Sequence, residues 1–391
     1  MKTIEDFADQ IAGQRVLMRV DFNVALDKET GEITNDLRIR RALPTIRFAL
    51  EHDARLILMS HLGRPKGEVD PNLSMKKVAD RLGELLGQPV DFASDCIGEQ
   101  PQQKVKTLGQ GEVLVLENLR FHAGEKENAS CFAGRLASLA DYYVNDAFGT
   151  AHRAHASTAG VPQHLPGCIG FLIQRELENL SKVLTEPEEP FVAIMGGAKV
   201  SEKIEAIENL MQKADKLLVG GAMAYTFLKQ QGVEVGESLV EEDKLDLAAG
   251  LLEDYAGKIE LPFDHVCAAE ISPDAEPRTV EGDIPEGMIG LDIGPKTAGK
   301  YAGIIRDAAM VTWNGPMGYF EIDAFAEGTY EVARALAECE GMTIVGGGET
   351  AESVEELGLQ DQVSHVSTGG GACLDYLAGK TLPAIAALEE E

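Results

Sequence analysis

The chain has 391 residues, 44% of them apolar, which is more than one ordinary hydrophobic core encloses, so two domains are expected. Its formal net charge of −30 makes nucleic acids and anionic membranes poor partners. Because no run of about 18 uncharged apolar residues occurs and the N-terminus lacks the pattern of a secretion signal, we expect a cytoplasmic protein that does not bind a membrane.

Short apolar runs alternate with amphipathic helical stretches along the whole chain, which predicts parallel α/β architecture. The predicted strands are 16–20, 56–59, 89–92, 113–116 and 142–144 in the first half, and 191–195, 217–219, 265–267, 309–312 and 343–345 in the second. Between the halves, residues 170–184 have the apolar stripe of one helix, which Pro187 and Pro190 follow closely. We interpret this helix as the connection between two domains.

Polar or basic residues follow each strong strand of the first half. They are Asp21–Asn23, Ser60–Arg64, Glu117–Arg120 and Asn145–Asp146, with His152–His155 beyond, and Arg38, Arg40 and Arg41 follow the first strand. In open parallel sheets the carboxyl ends of the strands face the ligand, so these clusters should converge. A single Arg is better explained by a surface ion pair, but four clusters together predict a site for an anion.

Glycine-rich turns follow three apolar runs of the second half. They occur within Ala309–Glu321, which carries the only tryptophan, and within Thr343–Thr350 and His365–Cys373. Unhindered amides at the start of a helix suit a phosphate group. One such run alone is explained by a tight turn, whereas several in one half favour a nucleotide.

Two lysines follow the predicted strand 191–195. Lys199 and Lys203 are spaced by one helical turn, so that both ammonium groups can face one phosphate chain if a helix starts there. Two solvated lysines are an equally good explanation. The segment is not a P-loop, and the chain has no protein-kinase motifs.

Six cysteines are spread singly, without a C-x-x-C pair, and the histidines show no zinc spacing. This is typical of free thiols in a reducing compartment, and we expect no structural metal.

The negative charge is uneven along the chain. Residues 1–170 hold 20 Lys and Arg against 23 Asp and Glu, and residues 171–391 hold 15 against 42. A surface adapted to high salt and an ordinary acidic protein both fit this pattern.

Taken together, the motifs resemble those of the phosphoglycerate kinase family over essentially the full length. The motifs that carry the resemblance are Arg19–Val24, Ser60–Pro65, Glu117–Phe121, Ala151–His155, Gly196–Val200, Trp313–Pro316 and Ser367–Gly371. The resemblance implies two Rossmann-like domains with parallel sheets: an N-terminal domain (1–169) that binds 3-phosphoglycerate, a connecting helix and hinge (170–187), and a C-terminal domain (188–376) that binds Mg²⁺ with ADP or ATP. It also implies that a tail (377–391) returns to the N-terminal domain.

The resemblance assigns site residues by position. Those implied to bind 3-phosphoglycerate or 1,3-bisphosphoglycerate are Asp21, Phe22, Asn23, Arg38, His61, Leu62, Gly63, Arg64, Arg120 and Arg153. Those implied to bind the nucleotide are Gly197, Lys199, Lys203, Gly220, Asn314, Glu321, Gly346, Gly347, Gly348, Glu349 and Thr350. Two positions depart from the family pattern: Glu349 stands where the family usually has Asp, and Glu202 where many members have Asp. Glu349 is the implied Mg²⁺ ligand, and its extra methylene leaves direct, shifted and water-mediated coordination open.

The implied reaction transfers a phosphoryl group between a carboxylate and a diphosphate, so no catalytic base is required. It needs in-line placement and neutralisation of charge, for which Arg38 and Lys199 are the candidate catalytic residues. The two ligand sets lie in different domains, so the domains must close, and we expect a monomer. Another doubly wound kinase of a small phosphorylated acid is the alternative, and a non-catalytic nucleotide-binding regulator is a weaker one because none of the key residues is missing.

Overall fold

The computed structural model describes residues 1–27 and 29–389, which form two compact α/β units. Unit 1 comprises Met1–Glu178 and the described residues from Thr381 onward, and unit 2 comprises Asn179–Lys380. Each unit is built on a six-stranded parallel sheet, which confirms the predicted fold class.

The strands of unit 1 form one parallel sheet and a short antiparallel pair. In chain order they are β1 (Arg15–Val20), β2 (Ala25–Leu26), β3 (Ile33–Asn35), β4 (Arg55–Met59), β5 (Val90–Phe92), β6 (Val113–Val115), β7 (Tyr142–Asp146) and β8 (Gly167–Ile169). The sheet has the order β5-β6-β4-β1-β7-β8, and β2 pairs only with β3. Alternate residues of β1 enter opposite cores: Val16, Met18 and Val20 pack on one face of the sheet, and Leu17 packs on the other.

The helices of unit 1 cover both faces of this sheet. They are α1 (Leu37–Glu51), α2 (Lys76–Leu86), α3 (Glu99–Thr107), α4 (Ala123–Lys126) and α5 (Ser130–Ala137). In α1 the buried residues include Ile39, Leu43 and Ile46, whose spacing of three and four gives one apolar stripe. The next helix is α6 (Phe171–Thr185), at the position where a helix was predicted over 170–184, and the boundary between the units falls within it, after Glu178.

Unit 2 has a second parallel sheet and a small antiparallel one. Its strands are β9 (Phe191–Met195), β10 (Lys216–Val219), β11 (Ile259–Glu260), β12 (Asp264–Ala268), β13 (Arg278–Glu281), β14 (Ile289–Ile293), β15 (Met310–Asn314), β16 (Met342–Gly346) and β17 (His365–Val366). The parallel sheet has the order β11-β10-β9-β15-β16-β17. The helices are α7 (Ile204–Met211), α8 (Met223–Gln230), α9 (Leu245–Asp254), α10 (Pro295–Arg306), α11 (Glu327–Glu338), α12 (Gly348–Glu356) and α13 (Gly370–Leu377).

One predicted strand lies outside the parallel sheets. The run 265–267 belongs to β12, which pairs antiparallel with both β13 and β14. No helix separates these three strands along the chain. A parallel connection needs a crossover, usually a helix, so short connections leave antiparallel pairing as the available arrangement.

The last helix, α14 (Pro383–Glu389), lies in unit 1. The amide of Ala384 donates to the carbonyl oxygen of Ala151 at 3.1 Å. Leu377, where the predicted tail begins, instead ends α13 in unit 2, and its carbonyl oxygen accepts from Asn209 Nδ2 at 2.7 Å. The structure therefore divides the chain after Lys380, so the returning segment starts at Thr381, four residues later than the predicted start of the tail at 377.

Candidate functional site

The polar residues that follow β1, β4 and β6 in unit 1 meet at one edge of the sheet. These strands are neighbours and run parallel, so their carboxyl ends coincide. The Phe22 amide donates to Ser60 Oγ at 2.9 Å, and the Gly63 amide donates to Asn23 Oδ1 at 2.8 Å. The Leu62 amide donates to the side chain of Asn118 at 3.2 Å. Three strand ends predicted to converge are thus joined by direct hydrogen bonds.

Arg38 lies in the first turn of α1 and forms an ion pair with Asp21. Burial by itself would raise the pKa of the Asp21 carboxyl, but nearby positive charges, Arg38 foremost, hold that pKa below its usual value. Asp21 is therefore ionised and orients the Arg38 guanidinium, whose side chain stays 35% exposed. Arg40, on the same helix, pairs with Asp36 instead and faces solvent. Arg40 therefore does not share the ion pair that orients Arg38.

His61 is buried beside a buried arginine. Arg19 Nη2 lies 3.0 Å from His61 Nδ1, and Arg19 Nε donates to Ser157 Oγ at 2.9 Å. A guanidinium can only donate, so Nδ1 must accept and the imidazole proton must sit on Nε2. Burial lowers the pKa of His61 well below its ordinary value, which is consistent with a neutral ring. Arg19 is not among the site residues predicted from the sequence. A charged residue within the apolar run 16–20 is nevertheless a pattern that indicates a role in the site.

Three further arginines of unit 1 were predicted for the anion site. Arg120 Nη1 donates to the carbonyl oxygen of Gly63 at 2.8 Å, whereas its Nε is buried without a hydrogen-bond partner in the described part of the chain. Burial, followed by the charges of Arg153 and Arg19, lowers the pKa of Arg120 to about 10, so it remains charged at neutral pH. Arg64 and Arg153 are exposed, and neither forms an ion pair within residues 1–27 and 29–389. We call the residues Arg38, His61, Arg64, Arg120 and Arg153 the basic edge.

In unit 2 the glycine turns also follow neighbouring parallel strands, β9, β15 and β16. The Gly196 amide donates to the carbonyl oxygen of Asn314 at 3.0 Å, and the Gly197 amide donates to that of Pro316 at 2.9 Å. A Cβ at Gly196 would lie 2.1 Å from the Pro316 oxygen, so only glycine permits this approach of two turns. We call residues 196–197, 314–318 and 346–350 the glycine edge.

Asn314 is central to the glycine edge and only 4% exposed. Its Oδ1 accepts a hydrogen bond from Lys203 Nζ, whereas its Nδ2 has no partner among the described residues. Gly346 lies beside this Nδ2, because a Cβ added to Gly346 would be only 3.3 Å from it. Burial lowers the pKa of Lys203, against the opposing effect of Glu202 and Glu349. A buried amide donor without a partner, beside a lysine, is a favourable place for an anionic oxygen.

The glycine edge ends at the start of α12. Gly347, with φ of 101°, precedes that helix, and Thr350 Oγ1 accepts from the Gly315 amide at 2.8 Å, joining two of the turns. Gly348 and Glu349 are exposed in the first turn of α12. Gly220 follows β10, whereas Glu321 is exposed in the segment before α11. The start of α12 thus offers exposed backbone amides and one carboxylate.

The lysine pair does not lie on a helix as the spacing suggested. Lys199 is in the irregular segment after β9, Lys203 is the N-cap residue, and α7 begins only at Ile204. The Ser201 amide donates to Glu241 Oε2 at 3.1 Å, so a side chain supplies the acceptor for the amide between the two lysines. Lys199 is half exposed and lies 3.3 Å from Glu202.

Known proteins match this chain over its full length. A family model described as Phosphoglycerate kinase matches residues 4–380. The phosphoglycerate kinase of Chlorobium chlorochromatii is 56% identical over 395 residues, with 99% of each chain covered. That of Moorella thermoacetica is 54% identical over 393 residues, covering 100% of this chain and 99% of the relative.

Solved structures give the same result. The phosphoglycerate kinase of Coxiella burnetii aligns with a TM-score of 0.86 at 42% identity, over 100% of this chain and 99% of that one. The enzyme of Pyrococcus horikoshii aligns with a TM-score of 0.90 at 33% identity, over 100% and 98% of the two chains.

Proposed function

This chain belongs to the phosphoglycerate kinase family, and from that membership we propose how its two units divide the reaction. The reaction is reversible transfer of a phosphoryl group between 1,3-bisphosphoglycerate and ADP, which gives 3-phosphoglycerate and ATP. Unit 1 binds the phosphoglycerate and unit 2 binds the nucleotide.

The basic edge is the observation that carries the first assignment. In a chain with a formal charge of −30, it gathers four guanidinium groups, of which only Arg38 is paired with a carboxylate in the described residues. Guanidinium groups match phosphate and carboxylate oxygens two at a time. His61, neutral and protonated on Nε2, supplies a donor without adding charge. Asp21, Asn23 and the Leu62–Gly63 backbone shape the same surface, and Phe22 packs beneath it.

The glycine edge supports the second assignment. Its backbone amides, the Nδ2 of Asn314 and the ammonium groups of Lys199 and Lys203 can bind successive phosphates of ADP or ATP. Glu321 would contact the remainder of the nucleotide.

The residues at the start of α12 fit a Mg²⁺ ion bound with the nucleotide. Mg²⁺ in such sites takes one or two carboxylates and several phosphate oxygens, and Glu349 is an exposed carboxylate with no ion-pair partner in the described chain. When bound, the ion neutralises charge on the phosphate oxygens. We assign Glu349 as its protein ligand.

Transfer of the phosphoryl group requires little covalent chemistry from the protein. The attacking carboxylate or diphosphate is already ionised, so the residues must only align the oxygens and neutralise the transferring group. We assign this to Arg38, held ready by Asp21, and to Lys199, which exchanges its pairing with Glu202 for a phosphate oxygen. Because the two ligand sets lie in different units, the units close for transfer, with residues 170–187 as the hinge.

We further propose that the enzyme is a cytoplasmic monomer with a salt-adapted surface. Within the described residues, no helix is long and apolar enough to cross a membrane. The surplus of carboxylates supports the salt adaptation.

The test is a coupled assay with ATP, Mg²⁺ and 3-phosphoglycerate. Arg38→Ala should lower kcat by about 10²-fold or more, because the lost charge acts on the transition state. Arg64→Ala should mainly raise KM for 3-phosphoglycerate. Arg40→Ala is the matched control, since Arg40 lies on the same helix but pairs with Asp36, and should stay within about twofold of the parent. Near-normal turnover of Arg38→Ala would remove its catalytic role.

A further inference from the structure

A second cluster of metal-binding side chains lies in unit 1, outside the residues assigned above. Asp95 and Cys96 belong to the loop between β5 and α3, and His122 lies just before α4. One ligand atom of each side chain lies within 4.8 Å of the others. The sequence predicts no structural metal because it has no C-x-x-C pair and no zinc spacing of histidines. Cys96 and His122 are 26 positions apart, and only the fold brings them together.

Contacts around the cluster hold two of its members in place. His122 Nε2 lies 2.7 Å from Asp95 Oδ1, which also accepts from the Cys96 amide at 2.7 Å. The Phe132 ring packs against the imidazole, with 5.3 Å between ring centroids. Asp95 Oδ1 is therefore occupied, and no hydrogen bond within residues 1–27 and 29–389 engages Asp95 Oδ2.

The cluster has a buried floor and an accessible rim. Cys96 is fully buried, whereas the side chains of Asp95 and His122 are 46% and 32% exposed. An ion can therefore reach the sulfur from the side of the carboxylate and the imidazole. Burial, together with Asp95 and Glu125, raises the pKa of the Cys96 thiol well above its ordinary value. Metal binding by this sulfur therefore requires loss of the thiol proton, because the thiolate is the metal ligand.

We propose that Asp95 Oδ2, Cys96 Sγ and His122 Nε2 bind one Zn²⁺ ion or a similar thiophilic divalent cation, with water in the fourth position. Thiolate, imidazole and carboxylate are the donor set of zinc, and three protein ligands with one open position form a known class of zinc site. One carboxylate and one thiolate balance the two charges of the ion. This donor set also distinguishes the cluster from the Mg²⁺ position at Glu349, which offers only oxygen.

Modest rearrangement completes the coordination. Zinc bonds of about 2.0 to 2.3 Å place two ligands of a tetrahedral ion about 3.5 Å apart. Asp95 and His122 are partly exposed, so their side chains can rotate to bring ligand atoms that lie within 4.8 Å of one another to that separation. On binding, the Cys96 thiol loses its proton to solvent, and the imidazole proton moves from Nε2 to Nδ1, so that one proton is released per ion.

The bound ion would tie the 93–98 loop to the turn that carries Arg120. The Arg120 amide already donates to Asn118 Oδ1 at 3.1 Å, and Phe121 and His122 follow Arg120 directly. We therefore expect zinc to raise the melting temperature of unit 1.

The experiment is a titration of the chelator-treated full chain with Co²⁺ and Zn²⁺, without nucleotide and in excess Mg²⁺. Mg²⁺ occupies oxygen-only sites, and a thiolate-to-cobalt charge-transfer band reports sulfur coordination alone. We expect one ion per chain, about one proton released per ion, and displacement of Co²⁺ by Zn²⁺. Cys131→Ser is the matched control, since Cys131 is an exposed cysteine of the same unit, and it should keep the band.

Cys96→Ser should lose the charge-transfer band and weaken zinc binding at least tenfold. If that variant does not fold, Asp95→Asn decides, because Asn keeps a carbonyl oxygen for the Cys96 amide but removes the charge, and should also bind zinc at least tenfold more weakly. Absence of the band in the parent protein, or its persistence in Cys96→Ser, overturns the proposal. Unchanged zinc affinity in Asp95→Asn does so as well.

Discussion

At the scale of single residues, the basic edge depends on buried side chains beside it. Arg19 is fully buried and bonds Ser157 Oγ, which in turn donates to Glu125 Oε1 at 2.6 Å. These two hydrogen bonds fix the position of the Arg19 guanidinium, which faces His61 Nδ1. We therefore propose Arg19 as a positioning residue, because its contact with His61 Nδ1 leaves Nε2 as the imidazole nitrogen that can donate to a bound phosphoglycerate.

We predict that His61 stays neutral with its proton on Nε2 through the pH range around the ordinary imidazole pKa of 6.5, where an exposed histidine becomes charged. The pKa of His61 is depressed by burial, so acid favours the unfolded chain, and this contribution to stability is lost as pH falls below the ordinary value of 6.5. Nitrogen-15 NMR of the imidazoles distinguishes the two tautomers, with His61→Gln assigning the signal. A proton on Nδ1, or an imidazolium signal within that range, would contradict the assignment.

A second residue-scale prediction concerns Glu349. Glu349→Gln removes the carboxylate that we assign to Mg²⁺, so binding of Mg-ATP should weaken at least tenfold while metal-free ATP binds about as before. Calorimetry with and without Mg²⁺ measures both. Glu352→Gln is the control, an exposed carboxylate on the same helix. Equal losses for the two forms of ATP would reduce Glu349 to a favourable charge at the N-terminus of α12.

At the scale of elements, the segment 196–203 forms a loop at the position where the lysine spacing suggested a helix, and its contacts give the reason. The Ser201 amide of this segment donates to a carboxylate oxygen of Glu241. The amides of Gly196 and Gly197 donate to carbonyl oxygens of the 314–318 turn. The position of Lys199 therefore depends on a carboxylate in the segment before α9, forty residues after Ser201.

Glu241→Ala should disorder this loop and raise KM for ATP by about fivefold, since one hydrogen bond to a charged group contributes on the order of 1 kcal/mol or more. KM for 3-phosphoglycerate should not change, because the loop belongs to unit 2. Glu242→Ala is the matched control, as Glu242 pairs with Lys229 at the surface. If the two variants have the same KM for ATP, the loop does not depend on Glu241.

At the scale of the whole molecule, the acidic surplus falls mainly on unit 2. Residues 179–380 hold 14 Lys and Arg against 37 Asp and Glu, and the remainder of the chain holds 21 against 28. Carboxylates of like charge repel one another in dilute buffer, and salt screens this repulsion. The same screening weakens attraction between the basic edge and an anionic substrate.

We predict that raising KCl from about 0.1 to 1 M, which shortens the Debye length from about 10 to about 3 Å, stabilises unit 2 more than unit 1. Trp313 is the only tryptophan and is fully buried in unit 2, so its fluorescence follows unfolding of that unit in the intact chain. Hydrogen exchange of β1 and β4 follows unit 1. KM for 3-phosphoglycerate should rise over the same range. A melting temperature of unit 2 that stays flat or falls would show that the acidity is incidental.

The sequence by itself determined the architecture of the parallel sheets and the polar positions at their edges. Strands buried on both faces are continuous apolar runs, and β1, β4, β9 and β16 were recognised for that reason. Glycine runs placed the turns of unit 2, because close backbone approach excludes a side chain. The family resemblance named the reaction, which the comparisons confirm. The role of each site residue stays a prediction.

Only the tertiary structure decided which distant groups meet. The pairing of Arg19 with His61, the capture of the Ser201 amide by Glu241 and the antiparallel pairing of β12 all join segments that are far apart in the chain or lack a local signal. Asp95, Cys96 and His122 have no zinc spacing and become neighbours only because β5 and β6 are paired in the sheet. Periodicity and turn chemistry report local conformation, whereas such contacts depend on how the strands are ordered, which local sequence does not encode.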